Sequence, residues 1–147
     1  MTIQEAAKVS ASVKPTQGTK FHIDYSWWDK SDEDLRMYLL SHLPAEQRDR
    51  ISQTTSGQII DYIDPDTGEV FELDEIGVAI QAAAKDPNFI NPHTGVIDSI
   101  FRVFLANNNQ PMSPRELGEV LNKTAPTILK TLSTAGRVYR GIRPVQT

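Results

Sequence analysis

The chain has 147 residues, 39% hydrophobic and 23% charged, which is ordinary for a globular protein of one compact domain or two small ones. It contains no cysteine, which excludes disulfides, zinc–thiolate sites and thiol nucleophiles and fits a reducing cytosol. The net charge of −4 is unevenly placed: from Gln110 onward six Lys/Arg face two Asp/Glu, a balance of +4, whereas the first 109 residues carry nine Lys/Arg against seventeen Asp/Glu, a balance of −8. An acidic body with a basic C-terminal end suits a molecule that meets phosphate at one end only.

Residues 1–20 are polar and without period, and read as a mobile tail that lacks the apolar stretch of a secretory signal. No apolar run is long enough to cross a bilayer, so the expected location is cytoplasmic, with no membrane contact. Phe21 to Trp28 alternates and is rich in aromatics, which predicts a strand. On a strand Trp27 and Trp28 would point to opposite faces, one into the core and one towards a protein partner. Five acids surround the pair (Asp24, Asp29, Asp32, Glu33 and Asp34) and argue against a phosphate backbone there.

Ser31 reads as the cap of a helix with acids in its first turn and Leu35, Tyr38, Leu39 and Leu43 on its apolar face. His42 shares that face as a packed or boundary residue. Ala45 to Ile51 predicts a short charged helix, then SQTTSG a loop. IIDYID and EVFELD predict two strands joined by a turn at Pro65-Asp66-Thr67-Gly68. The acids Asp64, Asp66 and Glu69 belong to that turn and lack the longer oxygen ladder of a calcium loop. Asp74 caps an Ala-rich helix that stops before Pro87, and NFINPHTG is the expected domain boundary.

Thr94 is placed to cap a helix over Gly95 to Ala106, with Ile97, Ile100, Phe101 and Phe104 on one face. Val96 and Val103 fall on a second apolar strip that predicts contact with the N-terminal unit or another protomer. Asn107 to Pro111 breaks the helix. Ser113, Pro114 and Glu116 form a capping box, Leu117, Val120 and Leu121 are expected to point inward, and Asn122 suits a left-handed turn. Thr124 caps the next helix, whose inward residues are Ala125, Ile128, Leu129 and Leu132; Gly136 ends it.

The segment SPRELGEVLNKTAPTILKTL resembles a helix-turn-helix, with the small Gly118 where the two helices pack closely, and the RVYRGIRPV that follows resembles a wing or its closing strand. The resemblance is to the winged-helix superfamily and covers about a third of the chain. The last segment is short for two strands and a loop, so the wing is expected to be reduced. The resemblance implies double-stranded DNA as partner, with the second helix of the pair in the major groove. Its outward stripe is Lys123, Thr127, Lys130 and Thr134 without an acid, beside the cap Thr124, and Arg137, Tyr139, Arg140 and Arg143 would extend the positive surface.

The expectation is therefore an α+β protein: a small acidic α/β unit with a β-hairpin over residues 21–90, followed by a winged helix-turn-helix over 94–145. The acidic unit is left for dimerisation or a protein partner; the expected partner-contact residues are Trp27 and Trp28 in that unit and Val96 and Val103 on the first helix of the winged-helix part. His22, His42 and His93 are too dispersed for a metal site. No nucleophile motif or phosphate-binding glycine loop is present, so neither catalysis nor a cofactor is expected. The reading is a non-enzymatic DNA-binding protein, a transcriptional regulator in kind; the rival is a winged-helix adaptor that joins a larger complex without touching DNA.

Overall fold

A computed structural model describes residues 14–53, 60–63, 67–134 and 137–146. The fold mixes helices with two small antiparallel sheets, as the sequence leads one to expect.

Strand β1 (Phe21–Ile23) pairs antiparallel with β4 (Ile142–Pro144), Phe21 lying opposite Pro144 and Ile23 opposite Ile142. Phe21 and Ile23 are both 1% exposed. The free edge of β1 is also used. Phe21 exchanges two backbone hydrogen bonds with Met112, at 2.8 and 3.0 Å. The side-chain amide of Asn109 then continues the ladder, accepting from the Ile23 N–H at 2.8 Å and donating to its carbonyl at 2.9 Å.

The strand expected over Phe21–Trp28 ends at Ile23. Asp24 turns the chain because its carboxylate accepts from the backbone N–H of Ser26 at 3.0 Å and from its hydroxyl at 2.6 Å. It caps helix α1 (Tyr25–Lys30). The two tryptophans therefore sit on a helix. Trp28 is buried, stacked 5.3 Å from Tyr38 and edge-on to Phe101, while Trp27 is half-buried with its ring against Trp28. Ser31 closes α1 instead of opening the next helix. That cap falls to Asp34, which accepts from the Met37 N–H and starts α2 (Leu35–Ser41).

Helix α3 (Ala45–Gln53) follows Pro44. Strands β2 (Ile60–Ile63) and β3 (Val70–Leu73) form the expected hairpin, with Ile63 opposite Val70 at its exposed end. Most of the loop before it and residues 64–66 of its turn lie outside the described residues, as does Gly136. Asp74 caps α4 (Glu75–Ala84), accepting from Gly77 at 2.8 Å, as its position predicts.

Helix α5 (Val96–Ala106) is the central element. Ile100, Phe101 and Phe104 are fully buried, and Ser99, Val103 and Leu105 are buried as well. Its cap position is taken by Gly95 with no side-chain bond, not by Thr94, whose carbonyl instead accepts from the Ser99 hydroxyl at 3.2 Å. One cluster of buried side chains runs from Phe21 through Ile76, Ile80 and α5 to Ile128 and Ile142, so residues on both sides of the expected 90–94 boundary contribute to it.

The expected N-terminal tail divides in two. Residues 1–13 lie outside the described part, while residues 14–20 run along the body. Gln17 O accepts from the Arg115 N–H, Lys20 O from the Val145 N–H, and the Lys20 ammonium pairs with Glu116.

Candidate nucleic-acid interface

Two short helices and the turn between them build the surface that the sequence points to. Helix α6 (Pro114–Leu121) opens with a complete capping box: Ser113 Oγ accepts from the Glu116 N–H at 3.2 Å, and Glu116 Oε1 accepts from the Ser113 N–H at 3.0 Å. The Lys20 ammonium and this backbone bond hold the Glu116 carboxyl below its usual pKa. Leu117 is fully buried, Leu121 half-buried, and Val120, expected inward, is exposed at the helix surface.

The turn depends on two residues. Asn122 adopts the left-handed conformation, φ 55° and ψ 48°. Gly118 lies so close to the turn that a Cβ there would come 2.4 Å from the Lys123 carbonyl oxygen. That carbonyl approach, and the Lys123 N–H bond to Gly118 O at 2.9 Å, bring the second helix directly over the first. Thr124 caps α7 (Ala125–Leu132), accepting from the Thr127 N–H at 3.3 Å. Ile128 and Leu132 face the core.

The opposite face of α7 is open. Lys123, Thr124, Thr127, Lys130 and Thr134 are all exposed. The Thr124 and Thr127 hydroxyls lie 2.8 Å apart, and that of Thr134 donates to Lys130 O at 2.5 Å. Among the described residues no carboxylate pairs with Lys123, Lys130 or Arg137. Beside α7 lies a groove of about 820 Å³ with Leu129, Leu132, Val138 and Ile142 among its apolar walls. Its cations are Lys14, Lys130, Arg137 and Arg143, and no acid lines it among the described residues.

No protein-family model, curated protein or solved structure matches this chain. The surface therefore has to be read from its own chemistry.

After α7, residues 139–142 form a turn rather than an extended loop. Tyr139 and Ile142 bridge across Arg140 (φ 55°) and Gly141 (φ 77°), the left-handed pair of a two-residue hairpin. The turn rests on α1 and α2. Asp24 N–H donates to Gly141 O at 2.8 Å, and a Cβ on Gly141 would meet both Asp24 O and Trp28 Nε1 at 2.9 Å. Arg140 lies 4.2 Å above the Tyr38 ring and donates to Glu33 Oε1 at 2.7 Å. Arg143 Nε is 3.4 Å from Asp24 Oδ2. The Ser26 hydroxyl first, and this guanidinium in smaller part, lower the Asp24 pKa. Arg140 and Arg143, expected to extend the positive surface, are thus directed towards the acids of the N-terminal half. Arg137 remains exposed, 5.9 Å from the ring of half-buried Tyr139.

The residues expected to meet a partner separate in the same way. Trp28 and Val103 are buried by side chains of this chain and offer no surface, whereas Trp27 and Val96 are half-buried. The surrounding acids stay outside: Asp29, Asp32, Glu33 and Asp34 are exposed.

A polar cluster that the sequence reading missed lies between α2 and α5. Tyr38 OH donates to Asp98 Oδ1 at 2.5 Å; one turn further along both helices, Arg102 Nε donates to His42 Nδ1 at 3.0 Å. Arg102 Nη1 also donates to Phe89 O at 2.8 Å. Burial, then the bond to Asp98, raises the Tyr38 phenol well above its usual range. Burial, then the nearby Arg102 cation, pushes the His42 pKa down to about 4. The signal lay in matched spacing, since Tyr38/His42 and Asp98/Arg102 are each four residues apart and so share a helix face. Among the described residues, no three His, Asp or Glu are grouped to hold a metal, and no helix is long and apolar enough to cross a membrane.

Proposed function

We propose that the protein binds double-stranded DNA through a winged helix-turn-helix formed by α5, α6 and α7, and acts as a regulator of transcription. The carrying observation is the exposed face of α7 and its two flanks, where Lys123, Lys130 and Arg137 lie without a carboxylate partner among the described residues. A lysine or arginine already neutralised by an acid gains little from phosphate, whereas an unpaired one releases counterions when it binds. Thr124 and Thr127 sit at the helix N-terminus, the end that approaches base edges in this docking mode. Lys130 and Thr134 follow one and two turns later. In this reading the wing is reduced to the Tyr139–Ile142 turn, and Arg140 and Arg143 fix that turn to the body instead of contacting DNA.

The test is a charge reversal, Lys123→Glu with Lys130→Glu and Arg137→Glu, after circular dichroism shows the fold intact. Wild-type binding to genomic duplex fragments should fall with salt, and the variant should lose it. Each lost phosphate contact should remove roughly 0.9 from the slope of log affinity against log salt. Unchanged binding by a folded variant, or no wild-type binding at low salt, refutes the reading.

The groove beside α7 favours a second reading. Its apolar walls with cations at the margin suit an acidic amphipathic segment of another protein, which is the adaptor function. Failure of DNA binding combined with retained capture of such a segment would select it.

A further inference from the structure

We infer that the apolar groove beside α7 takes the β2–β3 hairpin of a second copy of this chain, so that the protein associates head to tail. The inference rests on the groove reading given above, naming its occupant, and does not depend on DNA binding.

The hairpin carries the required chemistry on one face. Directly opposed residues of an antiparallel pair share a face, and the residue two positions along each strand returns to it. Asp61 lies opposite Glu72 and Ile63 opposite Val70, so these four side chains form one surface. All four are exposed, Ile63 by 63% and Val70 by 62%. Tyr62 and Leu73, on the other face, are half-buried. The outward face therefore presents an apolar pair next to the turn and an acidic pair roughly 7 Å further along the strands.

This face is left unanswered by its own chain. Carboxylates directly opposite each other destabilise a strand pair, and neither Asp61 nor Glu72 has a cation partner among the described residues. A two-stranded sheet is marginal in water and gains from any further surface it packs on.

The groove is the complement in shape and sign. Leu129, Leu132 and Val138 supply its apolar walls, Lys130 and Arg137 stand at its margin without a carboxylate partner, and no acid lines it among the described residues. Ile63 and Val70 enter between the apolar walls, and Asp61 and Glu72 meet the two cations. Within one chain the surfaces stay apart, since none of the four hairpin residues lines the groove and all four are exposed. The occupant is therefore a second copy. The division of charge along the chain, −8 over the first 109 residues and +4 from Gln110 onward, favours the same head-to-tail contact. The two sides of the contact are different surfaces, so the interface is heterologous.

The experiment is sedimentation velocity of the full chain over rising concentration. At low salt the sedimentation coefficient should climb with concentration, and at high salt it should climb less, because exposed charges are screened. Two variants separate the sides: Asp61→Lys with Glu72→Lys, and Lys130→Glu with Arg137→Glu. Once circular dichroism shows them folded, each alone should sediment as a single chain. Mixed in equal amounts they should associate, because the second variant keeps the hairpin and the first keeps the groove. The proposal is overturned if the wild type sediments as a single chain at every concentration, or if its association ignores salt. It is equally overturned if either folded variant associates as the wild type does, or if the mixture does not associate. The wild-type series stands even if a variant fails to fold. The hairpin variant leaves α7 unchanged, so its binding to duplex DNA tests the DNA reading separately from self-association.

Discussion

Acidification should destabilise the fold through His42 before most carboxylates protonate. The unfolded imidazole takes up a proton near pH 6.5, the folded one only near 4. Between those values the unfolded chain holds a proton that the folded chain refuses, so stability falls as pH drops through this window and levels off below it. Each pH step is worth about 1.4 kcal/mol, which sets the loss at roughly 3 kcal/mol across the window. For a domain of this size that is a substantial share of a total near 5–15 kcal/mol, taking roughly the usual range. Urea unfolding followed by tryptophan fluorescence suits the measurement, because Trp28 stacks on Tyr38 in the same cluster. The comparison is His42→Gln, whose amide oxygen can still accept from Arg102 but does not titrate. Asp24 and Glu116 have lowered pKa values, so their contributions are lost at the acid end of the range in both proteins and cancel in the difference. Equal pH slopes for wild type and His42→Gln between about pH 6.5 and 4 would refute the reasoning, as would direct titration of His42 near its ordinary value.

Two backbone positions give further tests. Gly118→Ala would force a methyl against the Lys123 carbonyl, and should cost about 1–3 kcal/mol in chemical denaturation while leaving α6 helical; a neutral result would mean the two helices are farther apart than described. Gly141→Ala combines a positive φ with contacts at Asp24 O and Trp28, and should cost roughly 2–4 kcal/mol and shift the tryptophan emission. An unchanged emission would show that the turn does not rest on Trp28.

Local chemistry made much of the chain legible. The capping box at Ser113, the caps at Asp74 and Thr124, the left-handed Asn122 and the core stripe Ile100, Phe101 and Phe104 all rely on neighbours within a few residues. What failed depended on competition or distance. Aromatic, alternating Phe21–Trp28 favours a strand, but the Asp24 carboxylate captures Ser26 and starts a helix after three residues. Ser31 and Asp34 are both good caps, but Ser31 is taken up in closing α1, its N–H on Trp28 O and its hydroxyl accepting from the Glu33 N–H, and Asp34 takes the Met37 N–H. Arg140 and Arg143 look like free cations until the turn brings Glu33 and Asp24 to them across more than a hundred residues. The α7 face was readable because its selection rests on helical period alone, whereas the His42–Arg102 cluster needed two helices in register.

The pairing of β1 with β4 also sets how the molecule answers force. Phe21 lies opposite Pro144, so the chain enters and leaves the ladder at the same end. Tension applied between the two termini would load these hydrogen bonds one after another, as a zipper is opened, instead of all together in shear. The outer Gln17–Arg115 and Val145–Lys20 bonds go first, then the Phe21 and Ile23 pairs. Loss of β4 takes with it the Arg140–Gly141 turn and uncovers Trp28. A translocating unfoldase gripping either end would meet its weakest mechanical resistance at the seam that closes the core.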